Sequence, residues 1–449
     1  MIKKIRYFYW LTLEFIRKYA INIILTFVIS FIIISFFSLP IKKNFFSKKR
    51  VGLVGSFSPK NLPEEILYLI SNPLLTYNEK GDYTPILLSS WEVKNNYKTY
   101  RLTLKKNVLW NDGEELTTGN LNIKIKDAQI KKIDRYSMFI TFANSTPNFL
   151  NYLSKPLIKN LFVGAAGKYK VKKYQLKNGF VVYLLLTPNI PNLPIIEYKI
   201  FPTEEEMILA YKLGKINEMT LKKKKLVDDF AKWKNSKITK LVDYKHIFTI
   251  FINNEKDLFK NKDFKKAIVR AIDKKKFSSM GIENSSPVPL NSIYYNSNLS
   301  PTFYSPDYLK EFINSQLKAT SSAKIKLNLY TYYDFFNIAN EIVDQLNQAD
   351  VEIQTIFIRQ QIPENFDLML TFLEIPAVED QYLLWHSEQK KTNISHYKNE
   401  RVDKLLENLR LAINFDEKKK NADEFQKNFL DDPGAIFLFH PYVYLIEKR

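Results

Sequence analysis

The chain has 449 residues, 45% hydrophobic and 14% aromatic, with no cysteine. That length supports two or three domains with sizeable cores, and the composition excludes bulk disorder, disulfides, thiolate metal sites, a cysteine nucleophile and a lipid on an N-terminal cysteine. The net charge of +20 divides unevenly: residues 1–50 hold ten Lys and Arg against Glu14, giving +9, and the remaining 399 residues carry +11. Runs such as Lys222–Lys225 and Lys418–Lys420 read as solvated faces rather than phosphate-binding stripes, so no nucleic-acid partner is expected.

The first element is apolar. Tyr19 to Leu39 holds no charged residue across 21 positions, and as a helix rising ~1.5 Å per residue it spans about 31 Å, one hydrocarbon core. The following SFFSLPIKKNFF offers bulky residues where a cleavage site needs small ones. The expectation is an uncleaved anchor at 19–39, between a basic segment at 1–18 and a basic linker at 40–50. The flanks carry +4 and +5, so the positive-inside rule gives no orientation.

Mixed α and β structure follows. Val51–Phe57 reads as a buried strand and Pro63–Ser71 as a helix with Glu64 and Glu65 in its first turn. Tyr100–Leu104 alternates like a half-buried strand, and Tyr136–Phe142 and Gly179–Leu186 are further strands. Thr203 and Glu206 form a capping-box pattern for a helix that Gly214 stops. Lys265–Lys276 is an amphipathic helix. The strand Lys324–Leu329, the helix Asp334–Gln348 and the strand Val351–Ile358 make a parallel, right-handed β-α-β unit. Helices at Val402–Ala412 and Glu417–Leu430 precede an apolar strand at Ala435–Phe439.

Catalytic chemistry finds no support. The four histidines, His246, His386, His396 and His440, form no i, i+4 pair and no H-E-x-x-H pattern. Gly164–Tyr169 lacks both the first glycine and the terminal Ser or Thr of a phosphate loop. Asp112, Glu114 and Glu115 cluster beside Trp110, but without the alternation of a calcium loop. Asp112-Gly113 reads as a turn with solvated carboxylates around it. No enzyme activity, metal or cofactor is expected.

Several segments, in order, resemble the family-5 extracellular solute-binding proteins, the peptide-binding components of ABC importers. Ser71–Val93 is similar to the family's opening pattern, and Thr99–Leu121, TYRLTLKKNVLWNDGEELTTGNL, to its hallmark "Y-x-F-x-L-R-x-G-V-x-W-x-D-G-x-P-L-T-A-x-D-V". Val163–Tyr174 stands where the family has a G-T-G-P-Y turn and strand. Asp263–Phe277 resembles its "V-R-x-A-L-x-x-A-I-D-R" helix, Asn393–Arg410 its "N-x-S-x-Y-S-N-P-x-V-D-x-L-L" segment, and Gly434–Leu445 its closing strand. Together they cover nearly all of 51–449. One departure stands out. Most members carry an extra subdomain after the L-T-A-x-D-V motif, whereas here Leu121 leads within a few residues into the segment that follows it.

The resemblance implies an α/β, two-lobed periplasmic-binding-protein-like fold with a hinge and central cleft, preceded here by one transmembrane helix. Lobe I is expected at 51–247, completed by about 431–449, with its subdomain after about 121 trimmed, and lobe II at 248–430. Family members hold extended peptides by main-chain hydrogen bonds, with an acidic residue on the ligand's amine. Two regions fall at cleft-lining positions. The first is Lys60-Asn61-Leu62. The second is Leu373–His386, where Glu379 and Asp380 match the family's acidic part and Tyr382 and Trp385 supply aromatic surface. Pro376 stands where the amine-binding aspartate belongs; either Glu374 replaces it from two positions away or amine recognition is lost. His396 and Tyr397, beside the N-x-S motif, are further candidates.

The implied function is a monomeric, membrane-anchored, extracytoplasmic protein that captures peptides and delivers them to ABC permease subunits. The alternatives are the same fold with another small solute (nickel chelate, haem or sugar) and a non-transporting surface scaffold or chaperone.

Overall fold

A computed structural model of the chain describes residues 2–38, 48–78, 81–123, 125–300, 302–317 and 325–449, without the side chains of 2–7, 12, 23, 32–38, 316–317 and 379. Its centre is a twelve-stranded sheet. Ten strands lie side by side in the order Tyr169–Lys177, Phe180–Pro188, Ile195–Phe201, Lys48–Val54, Glu218–Leu221, Ala435–Lys448, His246–Ile252, Leu368–Glu374, Ile325–Tyr332 and Val351–Ile358. Ser236–Val242 and Gly281–Glu283 pair with Ala435–Lys448 off that path.

The strand Ala435–Lys448 belongs to both halves of the molecule. Its first part pairs antiparallel with His246–Ile252, from Phe251↔Ala435 to Phe248↔Phe439. Its second part pairs with Glu218–Leu221 and Ser236–Val242, up to Ser236↔Lys448. The chain therefore passes between two lobes at His440–Pro441, and a second time at residues 243–245, where Asp243 N donates to the Pro441 carbonyl at 2.9 Å. The sequence pattern ends this strand at Phe439. It continues nine residues further, because Pro441, the residue that interrupts the apolar run, sits at the crossing between two sets of partners rather than at a strand end.

In lobe II the strand His246–Ile252 is buried on both faces. Ile250 and Ile252 pack with Leu327, Leu329 and the helix Phe336–Gln348, while Ile247 and Phe251 pack with Met369, Trp385 and Phe437. The β-α-β unit is present and parallel, with Ile325 opposite Val351. Its helix begins at Phe336, after a 3-10 turn over Tyr333–Phe335, and neither start carries a side-chain cap. The helix expected over 265–276 runs instead from Lys262 to Arg270, capped by Asn261 Oδ1. It stops where Asp273 accepts from Lys275 N at 3.0 Å and starts the 3-10 turn Lys274–Phe277.

Lobe I carries a separate four-stranded sheet in the order Leu88–Lys94, Thr99–Leu104, Ser137–Phe142, Ala128–Lys132. The alternation of Thr99–Leu104 buries Tyr100, Leu102 and Leu104 against Trp110, Met138 and Ile140. Thr203 Oγ1 caps the helix Glu204–Lys212 by accepting from Glu206 N, and Gly214 closes it at φ +72. Gly164 and Gly167 let the backbone press on the preceding helix: a Cβ at Gly167 would stand 2.2 Å from both the carbonyl carbon and oxygen of Ile70.

The carboxylates of the acidic cluster are exposed at Asp112 and Glu114, as the turn reading expects, and they are also paired. Lys159 bonds Asp112 at 2.9 Å and also bonds Glu114, with its ammonium 5.9 Å over the Trp110 ring. Glu115 accepts from Arg135 at 2.6 Å, the Tyr136 hydroxyl at 2.8 Å and Asn107 N at 3.0 Å. Gly113 turns the chain at φ +92. The cluster thus ties a loop to its neighbours, and every carboxylate in it is committed.

The N-terminal helix runs Ile2–Ser38 and breaks its helical geometry at Tyr19 (φ −109, ψ 15), where the uncharged stretch begins. Among the described residues no helix is long and apolar enough to cross a membrane. The end of the expected anchor lies outside the described side chains from 32 to 38, and its last residue, 39, with residues 40–47 of the basic linker, lies outside the described residues.

Candidate functional site

The two lobes face each other across a cavity of about 1140 Å³. Lobe I contributes Tyr77, the connector Ile125–Asp127, and the Asn144–Lys155 stretch around the short helix Phe149–Tyr152. That connector lies just after Leu121. Lobe II contributes Ser292–Tyr294, Ala377, Val378, Asp380 and Arg410. The lining therefore mixes Lys126, Lys155 and Arg410 with Asp127 and Asp380, the combination a zwitterionic solute needs.

Local structure fixes both charges on the lobe II side. Asp380 lies in the 3-10 turn Val378–Gln381. The next residue, Gln381, is buried and fully engaged: its amide donates to the Pro287 and Pro376 carbonyls at 3.0 and 3.2 Å, and its Oε1 accepts from the Trp385 indole at 2.7 Å. Gln381 thus pins the turn while Asp380 stays exposed. Arg410, at the end of the helix Glu400–Leu411, lies 4.6 Å over the Tyr382 ring, which stacks on His386 at 4.1 Å. Burial raises the Tyr382 phenol above its usual range. On the opposite wall Asn151 Oδ1 accepts from the Tyr77 hydroxyl at 2.5 Å and also from Tyr83.

At the hinge the lobes meet a second time. Lys245 bonds Glu65 at 2.8 Å, Lys223 lies 3.3 Å from Asp334, and Lys222 sits 5.4 Å over the Phe372 ring. His246 stacks on Phe372 at 4.6 Å and 11°, with Nδ1 2.8 Å from Asp243 Oδ2. Burial alone would raise the Asp243 carboxyl, but His246, the Lys245 N–H and Lys222 together outweigh it and the group is held below its usual range.

Of the residues singled out by sequence, Asp380 lines the cavity directly, and Tyr382 backs Arg410. Glu374 is exposed and pairs opposite His246 in the sheet, at the hinge side. Trp385 and Tyr397 are fully buried in the lobe II core, Tyr397 with its hydroxyl on the Asp432 carbonyl at 2.8 Å. Leu62 is buried in the lobe I core, while Lys60 and Asn61 are exposed on the loop before the helix Glu64–Ile70. His396 is half-buried at φ +51, and the Glu379 side chain lies outside the described residues. Tyr77, Lys126, Asp127, Asn151, Lys155 and Arg410 were not foreseen. Only the position of the connector after Leu121 signalled any of them.

Among the described residues no group of three or more His, Asp or Glu is placed to hold a metal ion. No protein-family model matches the chain. The oligopeptide-binding protein AppA of Bacillus subtilis (strain 168) is 21% identical over 471 residues, covering 87% of this chain and 86% of that protein. Its structure with a nonapeptide matches 90% of this chain and 95% of its own, with a TM-score of 0.66 and 20% identity. NikZ from Campylobacter jejuni, solved with Ni(L-His), covers 90% and 94% with a TM-score of 0.69 and 17% identity. The ABC transporter substrate-binding protein CtaP from Listeria monocytogenes covers 90% and 94% with a TM-score of 0.73 and 17% identity. These relatives are solute-binding proteins, not enzymes. The chain has the two-lobed fold of ABC-transporter substrate-binding proteins, and its resemblance to the family-5 extracellular solute-binding proteins holds over nearly its whole length.

Proposed function

We propose that the protein is a membrane-anchored, extracytoplasmic substrate-binding protein, acting as a monomer, that captures peptides between its lobes and delivers them to an ABC permease. The observation that carries the reading is the interlobe cavity of about 1140 Å³ with charges of both signs in its walls. A peptide brings an amine and a carboxylate. In this reading Asp380 receives the amine, the role left vacant at Pro376, and Arg410 and Lys155, which line the same cavity, receive the carboxylate. The AppA structure with a nonapeptide supports the cargo class. The uncharged stretch Tyr19–Leu39 supplies the tether, and the exposed Phe8, Tyr9 and Trp10 before it suit a membrane interface.

Native mass spectrometry of the full chain released from detergent, with thermal shifts against a broad peptide library and against nickel with histidine, tests the reading. Retained peptide or a peptide-dependent shift supports it. A response to nickel-histidine alone, or co-purified haem or sugar, would keep the fold and change the cargo. Silence with every ligand would favour a surface scaffold and end the transport reading.

A further inference from the structure

A second cavity, of about 880 Å³, lies within lobe II, away from the cleft residues described above. It is bounded by the helices Lys262–Arg270 and Phe415–Asp431, by Ser285 and residues of 296–300 and 302–303, and by the first residues of the strand Ala435–Lys448. Five cationic side chains reach it: Lys266, Arg270, Lys274, Arg401 and Lys427. Its three carboxylates are each engaged. Asp431 pairs with Lys266 at 2.5 Å, Glu424 with Arg401 at 3.4 Å, and Asp423 with Lys419. Among the described residues Arg270, Lys274 and Lys427 make no ion pair.

Lys274 is the informative member. It is 7% exposed, and among the described residues its ammonium has one hydrogen-bond partner, the neutral Ser285 hydroxyl, at 2.5 Å. An ammonium offers three donors, and a buried charge without a counter-ion is costly. Burial lowers the amine to about 8, with Glu283 pulling against it, so at neutral pH the group still carries its proton. Arg270, held 4.6 Å over the Tyr308 ring, adds a planar donor fork at the rim. Ser285 and Lys274 at depth, with Arg270 and Lys427 at the entrance, form a graded positive site whose lining carboxylates, among the described residues, are each paired with another cation.

The geometry points to a second ligand site in this cavity, taking a phosphate-bearing anion whose oxygens are received by Lys274, Ser285, Arg270 and Lys427. The volume exceeds that of the bare ion and leaves room for a phosphorylated small molecule. The site is independent of the peptide reading: it lies in one lobe and needs no closure.

The test titrates the full chain with inorganic phosphate and, separately, with glucose 6-phosphate, against sodium chloride at equal ionic strength. Melting temperature is followed together with the NMR titration of the Lys274 amine. The expected result is a saturable rise in melting temperature with one or both phosphates and an upward move of the Lys274 titration. The midpoint should weaken at least tenfold in Lys274→Met and in Arg270→Gln. A stronger response to glucose 6-phosphate marks a phosphorylated molecule as the ligand, and an equal response marks the free ion. Lys274→Met should fold, since it replaces a buried unpaired charge by an apolar chain of similar length, and the exposed Arg270→Gln gives a second reading. A response no larger than that to chloride, or one unchanged in both variants, overturns the site.

Discussion

Lys223 of lobe I and Asp334 of lobe II approach to 3.3 Å across the gap between the lobes. Their side chains are 61% and 75% exposed, so the pair adds little to stability. Its value is geometric, because the two residues meet only when the lobes are together. Lys245 and Glu65 make a similar bridge at the hinge, also largely exposed. Asp334→Asn and Glu65→Gln should each change unfolding free energy by less than about 0.5 kcal/mol while raising the ligand's dissociation rate several-fold. Denaturation and stopped-flow release measure the two effects, and a large stability loss without a change in release would refute this assignment.

His440 sits at the crossing and sets a pH dependence. Its Nδ1 donates to the His246 carbonyl at 2.7 Å, so Nε2 accepts from the Asn284 amide at 3.1 Å. Asn284 cannot turn over to suit a protonated ring, because its Oδ1 accepts from Ser286 N at 2.9 Å and its amide serves the Val288 carbonyl at 3.1 Å. Burial lowers the His440 titration below its ordinary value near 6.5, outweighing the His246 carbonyl and Asp243, which pull it up. The unfolded chain therefore binds the proton first as pH falls. The contribution is complete above about 6.5 and is lost as pH drops toward the folded value, at up to about 1.4 kcal/mol per pH unit for one proton. Melting curves between pH 5 and 8 should show this slope in the parent and a flatter one in His440→Gln.

Asp380 and Trp385 separate binding from folding within one turn. Trp385→Ala removes a fully buried ring packed on Phe251, Phe429 and Phe437 and should cost about 3–5 kcal/mol. Asp380→Asn changes an exposed side chain and should leave stability within about 0.5 kcal/mol while weakening peptide binding at least tenfold. Calorimetry on both variants checks the split; unaltered affinity in Asp380→Asn would remove it as the amine partner.

Gly167 tests the packing of the lobe I turn. A methyl group there would meet the Ile70 carbonyl at 2.2 Å, a backbone contact with no rotamer to relieve it. Gly167→Ala should destabilise by about 1–3 kcal/mol. The control Gly113→Ala has open space around it but φ +92, and a smaller loss is expected from strain alone.

What the sequence made legible was local. The Thr203 cap, the Asp112-Gly113 turn and the parallel unit from Ile325 to Ile358 follow from patterns a few residues long. The strand through His440 and Pro441 did not, because its two halves answer to different partners, with one end in lobe II and the other in lobe I. The cavity was legible only in part. Asp380 came through the resemblance, whereas Asp127, Asn151 and Arg410 come from a connector, a short helix and a helix end joined only by tertiary packing. Trp385 and Tyr397 show the opposite case: aromatic residues beside a motif can support the binding surface from the core.

The central claim is closure of the lobes on a peptide, and one distance tests it. The chain has no cysteine, so Lys131→Cys in lobe I and Leu411→Cys in lobe II, both exposed positions, take spin labels without background. Pulsed dipolar spectroscopy on the full chain should show a broad, longer distance without ligand and a narrower, shorter one with a bound peptide from the library. A distribution unchanged by any peptide that binds would contradict the account.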